Sequence, residues 1–118
     1  MTKILVTIND PPYGTERAYN ALRLTANILK QEPETEMRVF LVADAASCAK
    51  AGQNVPQGYY NLERMLKVIL HRGGIVGVCG TCMDARGMKD EELVDGTKRS
   101  TLDEWTEWTL WADKTLVF

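Results

Sequence analysis

The sequence predicts an α/β domain with a mostly parallel five-stranded sheet and helices on both faces. Short β-branched runs alternate along the chain with segments whose apolar residues recur at helical spacing. Gly and Pro punctuate the junctions. Strict alternation of strand and helix implies right-handed crossovers and a parallel sheet. With 118 residues, 45% of them hydrophobic, the chain suits a single domain over residues 1–118 and leaves no room for a second.

The first strand is Lys3 to Ile8, closed by Asn9-Asp10-Pro11-Pro12-Tyr13-Gly14, whose prolines and glycine force a loop. Thr15 is placed to cap the next helix, in which Ala18, Ala21, Leu22, Thr25, Ala26 and Leu29 form one face before Pro33 ends it. Met37 to Val42 reads as the second strand. The stretch from Asp44 to Gly58 is long for a connection and is expected to be a lid or interface loop. A second helix runs from Tyr59 to His71 on Leu62, Met65, Leu66, Ile69 and Leu70, and Gly73-Gly74 stops it. Ile75 to Val78 is the central strand. Lys89 to Val94 suggests a short helix capped by Asp90, and Gly96 to Arg99 a short polar strand or bare connection. Ser100 with Asp103 resembles a capping pair for a helix through Trp111, and Lys114 to Phe118 forms the last strand.

The formal charge of −2, without a basic run, leaves no electrostatic footprint for nucleic acid or an anionic membrane surface. No apolar run is long enough to span a bilayer and the start carries no signal-like segment, so the expected location is cytoplasmic. Three cysteines in a reducing compartment argue for thiol chemistry, metal binding or burial rather than a disulfide framework.

Chemistry is expected at Cys79-Gly80-Thr81-Cys82, a C-x-x-C pair where the central strand ends and a helix can begin. Unpaired backbone N–H groups there stabilise a thiolate; Arg86 adds positive charge and Asp84 opposes it. In parallel sheets ligands sit beyond the carboxyl ends of the strands, which would bring Asn9 to Gly14, Asp44 to Gly58 and Cys79 to Arg86 to one pocket. Asn9 and Tyr13 would shape its wall, Asp44 and Arg86 its polar rim, and Cys48 could enter from the long loop. A thioredoxin-like oxidoreductase lacks its Trp before Cys79. A zinc site would need Cys48, Cys79, Cys82 and His71, but His71 closes a helix at the opposite sheet edge, so no metal and no cofactor are expected. The loop before the first helix has neither Walker nor G-x-G-x-x-G spacing. Trp105, Trp108 and Trp111 are too many for one narrow helical stripe, and some are expected to face a second copy of the chain.

Pro12-Tyr13-Gly14-Thr15-Glu16, Phe40-Leu41-Val42-Ala43-Asp44-Ala45, Gly58-Tyr59, Cys79 through Gly87, and Trp108-Thr109-Leu110-Trp111-Ala112-Asp113-Lys114 together resemble the DsrE/DsrF-like family in its small YchN-type branch. The resemblance covers almost the whole chain. It implies a flavodoxin-like domain that assembles into homotrimers or homohexamers, with a sulfur-relay cysteine at the end of the third strand. Cys79 falls at that position. In sulfur-transferring members this thiolate takes sulfane sulfur as a persulfide and passes it to a partner protein, so a sulfur donor and an acceptor protein are the implied partners. Cys82 could then resolve a persulfide or disulfide. Two other readings stay open: a non-catalytic oligomeric scaffold or binding protein, and a thiol-disulfide oxidoreductase.

Overall fold

The computed structural model describes residues 1–118. Its elements are β1 (Lys3–Ile8), α1 (Arg17–Gln31), β2 (Glu36–Leu41), a 3-10 helix (Ala43–Ala49), α2 (Leu62–His71), β3 (Ile75–Cys79), α3 (Gly80–Ala85), a 3-10 turn (Asp90–Glu92), β4 (Lys98–Ser100), α4 (Leu102–Trp111) and β5 (Lys114–Val117). One five-stranded sheet has the order β4-β3-β2-β1-β5. Every adjacent pair is parallel, so the sheet is wholly rather than mostly parallel.

This order fixes where the helices go. From β1 to β4 the chain steps one strand at a time in one direction; it then returns to place β5 on the far side of β1. Right-handed crossovers send successive helices to one face while the steps run one way and to the other when they reverse. The burial pattern agrees. Ile4, Val6, Ile8, Val39, Leu41, Val76 and Val78 pack with Leu22, Leu66, Ile69 and Met83 from α1, α2 and α3. The alternate side chains Leu5 and Phe40 pack with Trp108 of α4 on the opposite face.

The three tryptophans of α4 share the sheet-facing side, against expectation. Residues three apart drift by only about 60° per step on a turn of about 3.6 residues, so the set spans one broad face. Trp108 is buried, edge-on to Phe40 with ring centroids 6.0 Å apart. Trp105 stacks on Phe40 at 4.8 Å, and its Nε1–H donates to Thr7 Oγ1 at 3.2 Å. The Arg38 guanidinium lies 3.9 Å from the Trp111 ring centroid. Gly77 makes room for this packing, because a Cβ there would lie 2.9 Å from Trp108 Cη2. The outward apolar residues of α4 are instead Leu102, 70% exposed, and Leu110, 83% exposed.

Other local expectations also shift. Thr15 does not cap α1; its hydroxyl donates to Asp10 Oδ2 at 2.9 Å, and the cap position falls on Glu16 without a side-chain bond. Asn61 caps α2 by accepting from the Arg64 N–H, which moves the start of that helix from Tyr59 to Leu62. Thr101 rather than Ser100 caps α4, accepting from the Glu104 N–H at 3.1 Å. Ser100 is the last residue of β4 and its hydroxyl bonds the Glu104 carboxylate. The first half of the Asp44–Gly58 stretch is no lid: Ala45, Ala46, Cys48 and Ala49 are small and apolar, and the 3-10 helix buries them against the sheet. No helix is long and apolar enough to cross a membrane.

Candidate functional site

β3 and β4 are neighbours whose outgoing connections part: β3 runs into α3 on one face, β4 into α4 on the other. Divergence of that kind opens a crevice at the carboxyl ends of the strands. It holds a pocket of about 500 Å³ whose lining includes Phe40, Val42, Cys79, Thr81, Ser100 and Trp105. Cys79 is the last residue of β3 and pairs in register with Ser100 of β4. Because side chains alternate along β3, Val76 and Val78 enter the core under α1 and α2 while Cys79 turns to the α4 side.

Cys79 is also the cap of α3. The Cys82 N–H donates to Cys79 Sγ at 3.4 Å, and Thr81 Oγ1 lies 3.3 Å from the same sulfur. Partial burial opposes ionisation of Cys79, but the Cys82 thiol, the Thr81 hydroxyl and the backbone N–H groups of Cys82 and Thr81 outweigh it and hold the Cys79 pKa below the ordinary thiol value. Cys82 moves the other way: burial raises its pKa, the neighbouring Cys79 raises it further, and the Ala43 N–H, 3.2 Å from Cys82 Sγ, offsets only part. Charge is therefore favoured on Cys79, and the shared proton on Cys82. Ala43 is the one non-glycine residue with positive φ, at 55°. A left-handed alanine costs on the order of 1–2 kcal/mol, a strain that here aims its N–H at Cys82.

Two arginines brace the turn. Arg86 grips Asp44 Oδ1 with Nε at 3.1 Å and Nη2 at 2.6 Å, and its Nη1 donates to the Cys82 carbonyl at 3.0 Å. Its charge acts on Cys82 rather than on Cys79, where the sequence had placed it. Arg99 donates to Asp90 Oδ1 and Asp84 Oδ1, each at 2.8 Å, and to the Gly80 carbonyl at 3.1 Å. That bond from Arg99 holds the Asp84 carboxyl below its usual range. A Cβ on Gly80 would meet Arg99 Nη1 at 2.8 Å and the Ser100 carbonyl oxygen at 3.1 Å, so a side chain there would press on the Arg99 bracket and on the end of β4.

Of the residues singled out from the sequence, Cys79, Cys82, Asp44 and Arg86 come together, while Asn9, Tyr13 and Cys48 do not join them. Asn9 bonds the Phe118 carbonyl through both its backbone N–H and its side chain, tying the end of β1 to the end of β5. The Tyr13 hydroxyl accepts from the Leu62 N–H, and its ring stacks with Tyr60 at 5.8 Å, on the α1–α2 side. Cys48 is 1% exposed with its thiol against the Asp10 carbonyl; burial foremost, and then the Asp10 charge, push its pKa up to about 12. The loop Asn9 to Gly14 thus does not line the thiol pocket. No group of three or more His, Cys, Asp or Glu side chains is arranged to hold a metal ion. His71 ends α2 just before the start of β3, whereas Cys79 lies at its far end. A groove of about 610 Å³ along α1, lined by Asn20, Arg23, Leu24, Asn27 and Phe118, is larger than the thiol pocket but carries no nucleophile or acid.

Sequence reading missed Thr81, Ser100, Arg99, Phe40 and Trp105 as site residues. The usable signal was the polar segment Gly96 to Arg99: the strand is Lys98–Ser100, and its pairing with β3 puts Ser100 beside Cys79. Phe40 faces the pocket because it alternates with Val39 and Leu41 on β2.

Fold and site together define an all-parallel α/β protein with a strand-end cysteine pair at the point where its crossovers reverse. The profile of the DsrE/DsrF-like family matches residues 2–118, and the chain belongs to that family. It is 40% identical to Protein YchN of Escherichia coli over 118 residues, with 100% of both chains covered. An uncharacterised protein of Methanopyrus kandleri is 34% identical over 115 residues, covering 98% of this chain and 93% of that one. The crystal structure of the Escherichia coli YchN protein superimposes with a TM-score of 0.95 over 100% of both chains. A protein of unknown function from Methanobacterium thermoautotrophicum shares the fold, with a TM-score of 0.81, 10% identity and 100% of both chains covered.

Proposed function

We propose that the chain is a cysteine-dependent sulfur carrier in which Cys79 accepts sulfane sulfur as a persulfide. The observation that carries the proposal is the polarised pair at the crevice: a Cys79 thiol held toward its thiolate by Cys82 and Thr81, opening onto a pocket of about 500 Å³. The thiolate is the nucleophilic form. It attacks the outer sulfur of a persulfide donor; the donor S–S bond breaks, a new S–S bond forms on Cys79, and the donor leaves as a thiolate. An acceptor thiolate repeats the exchange on the outer sulfur of Cys79 and restores the starting state. No net oxidation occurs in either step.

Cys82 gives the site a second exit, and this supports the thiol-disulfide reading as a competitor. Once deprotonated, Cys82 can attack the Cys79 sulfur of the persulfide, leaving a Cys79–Cys82 disulfide and releasing hydrosulfide. Burial, which alone among the raising influences persists once Cys79 carries the added sulfur, holds the Cys82 pKa up, slowing that attack at neutral pH and favouring hand-off to an outside acceptor.

The test is to incubate the reduced protein with a sulfane sulfur donor and locate added sulfur by intact and peptide mass spectrometry. One added sulfur on Cys79, lost in Cys79→Ser and kept in Cys48→Ser, is expected. A Cys79–Cys82 disulfide with no sulfane intermediate would shift the assignment to an oxidoreductase. Thiols that take up no sulfur and also resist alkylation in the folded state would leave the scaffold reading.

A further inference from the structure

We propose that the pocket beside Cys79 selects a small organic persulfide by its apolar body, and discriminates against inorganic anions such as thiosulfate. This rests on the sulfur-carrier reading and names the class of donor.

Arg99 is the one cation in the pocket lining and is engaged with Asp84 and Asp90; beyond the lining, Arg86 is paired with Asp44 and Lys98 with Glu104. Four carboxylates face those three cations, so the surroundings are negative before the Cys79 thiolate is counted. An anionic donor meets no free positive charge and approaches a like charge, which lowers both its encounter rate and its affinity. Sites that hold oxyanions offer unpaired guanidinium or ammonium groups, and this one offers none.

The wall supplies the other half. Trp105 lies flat on the buried Phe40, planes 4° apart, and being only half-buried it presents apolar surface to the pocket, with Val42 and Leu102 also in the lining. The polar group nearest the sulfur is the Thr81 hydroxyl, 3.3 Å from Cys79 Sγ. A ligand with an apolar body against Trp105, Val42 and Leu102 and a short polar end at Cys79 satisfies both. Pockets that combine an apolar wall with a few convergent polar groups bind small organic molecules in this way. The negative surroundings also favour the protonated persulfide, R–S–SH, whose outer sulfur is the electrophile. Cys79–S⁻ attacks that sulfur, the S–S bond of the donor breaks, the proton stays on the transferred sulfur, and R–S⁻ departs.

Benzyl and methyl persulfide differ in the apolar body and also in the leaving thiolate, so their relative rates of Cys79 loading, divided by their relative rates with a small free thiol in solution, isolate the pocket. Loading by the benzyl compound is expected to be faster by at least about tenfold, the gain from burying about half of a phenyl ring, with thiosulfate slower than both. Leu102→Asp places a carboxylate at the mouth; Leu102 is 70% exposed at the first turn of α4, where an acid is tolerated. In that variant the benzyl-to-methyl ratio is expected to collapse toward one. Equal loading of Cys79 by both persulfides, or faster loading by thiosulfate, would overturn the donor class while leaving the carrier reading intact. No added sulfur from any donor would remove the carrier reading instead. In that case titration with benzyl methyl thioether, followed by tryptophan fluorescence, decides the pocket by itself. Saturable quenching that Leu102→Asp abolishes supports selection of an apolar sulfide, and its absence overturns it.

Discussion

Replacing Thr81 by Val removes one group from Cys79 and little else. The two side chains are nearly isosteric, Thr81 is exposed, and both residues have similar helix propensities. What is lost is the hydroxyl 3.3 Å from Cys79 Sγ, which donates when the sulfur is ionised; the Cys82 N–H at 3.4 Å and the Cys82 thiol remain. A hydrogen bond to a charged group contributes about 1.5–3 kcal/mol in sheltered surroundings, and the half-exposed sulfur reduces this to about 1 kcal/mol. That corresponds to about a fivefold drop in the thiolate-to-thiol ratio. The readout is the alkylation rate of Cys79 by iodoacetamide, mapped to its peptide, across a pH series that extends below the inflection. There the rate follows the thiolate population. Thr81→Val is expected to slow alkylation about fivefold on that limb and to move the inflection upward, with Thr81→Ser close to the parent. Identical profiles for parent and Thr81→Val would refute the view that this hydroxyl polarises the pair.

Two further outcomes follow from groups outside the pair. Cys48 has its folded pKa raised to about 12 by burial foremost, so its contribution to stability is fully present below the unfolded thiol value and is lost as pH rises toward the folded one. Urea unfolding under reducing conditions should show the parent losing about 2–3 kcal/mol more than Cys48→Ala between about pH 8.5 and about pH 11, at about 1.36 kcal/mol per pH unit, and parallel curves would contradict this. We propose that the chain self-associates through outward apolar side chains, Leu110 at 83% exposed and Val117 at 68% exposed on the edge strand; light scattering is then expected to give a multiple of one chain's mass for the parent and the mass of one chain for Leu110→Asp, and equal masses for both would overturn this.

The course of the chain was legible because the three central strands β1, β2 and β3 are largely buried and read as apolar runs, whereas the exposed edge strand β4 carries no such signal. Less of the site was legible. Cys79, Cys82, Asp44 and Arg86 lie at a strand end or just beyond one, where topology alone brings loops together. Tyr13 and Asn9 share that edge, yet the lateral order of the strands puts β1 two places from β3, with β2 between them. Sequence periodicity does not encode strand order. Nor does it reveal that α4 crosses to the other face, which is what brings Trp105 and Leu102 to the pocket. Cys48 misled because small residues in a run can as well be packed in a tight 3-10 helix as exposed on a loop. The tryptophans divide: Trp108 alone is buried, and Trp105 and Trp111 lean on the sheet half-exposed, because a broad sheet accepts a wider helical face than a narrow stripe.

The pairing of β5 with β1 joins residues more than a hundred positions apart, as in the contact of Thr7 with Val117. Contacts of that span close slowly, since most of the chain must be in place before they are rewarded. The Cys79–Cys82 turn is built by β3 and α3 alone, whereas its α4-side cover is held by a helix and a strand whose partner on the sheet is that distant β1. Detachment of α4 and β5 uncovers Phe40 and the α4 side of the pocket while leaving the sulfur pair in place. The reactive sulfur and its enclosure thus belong to contacts of different range, and access to the one is set by the stability of the other.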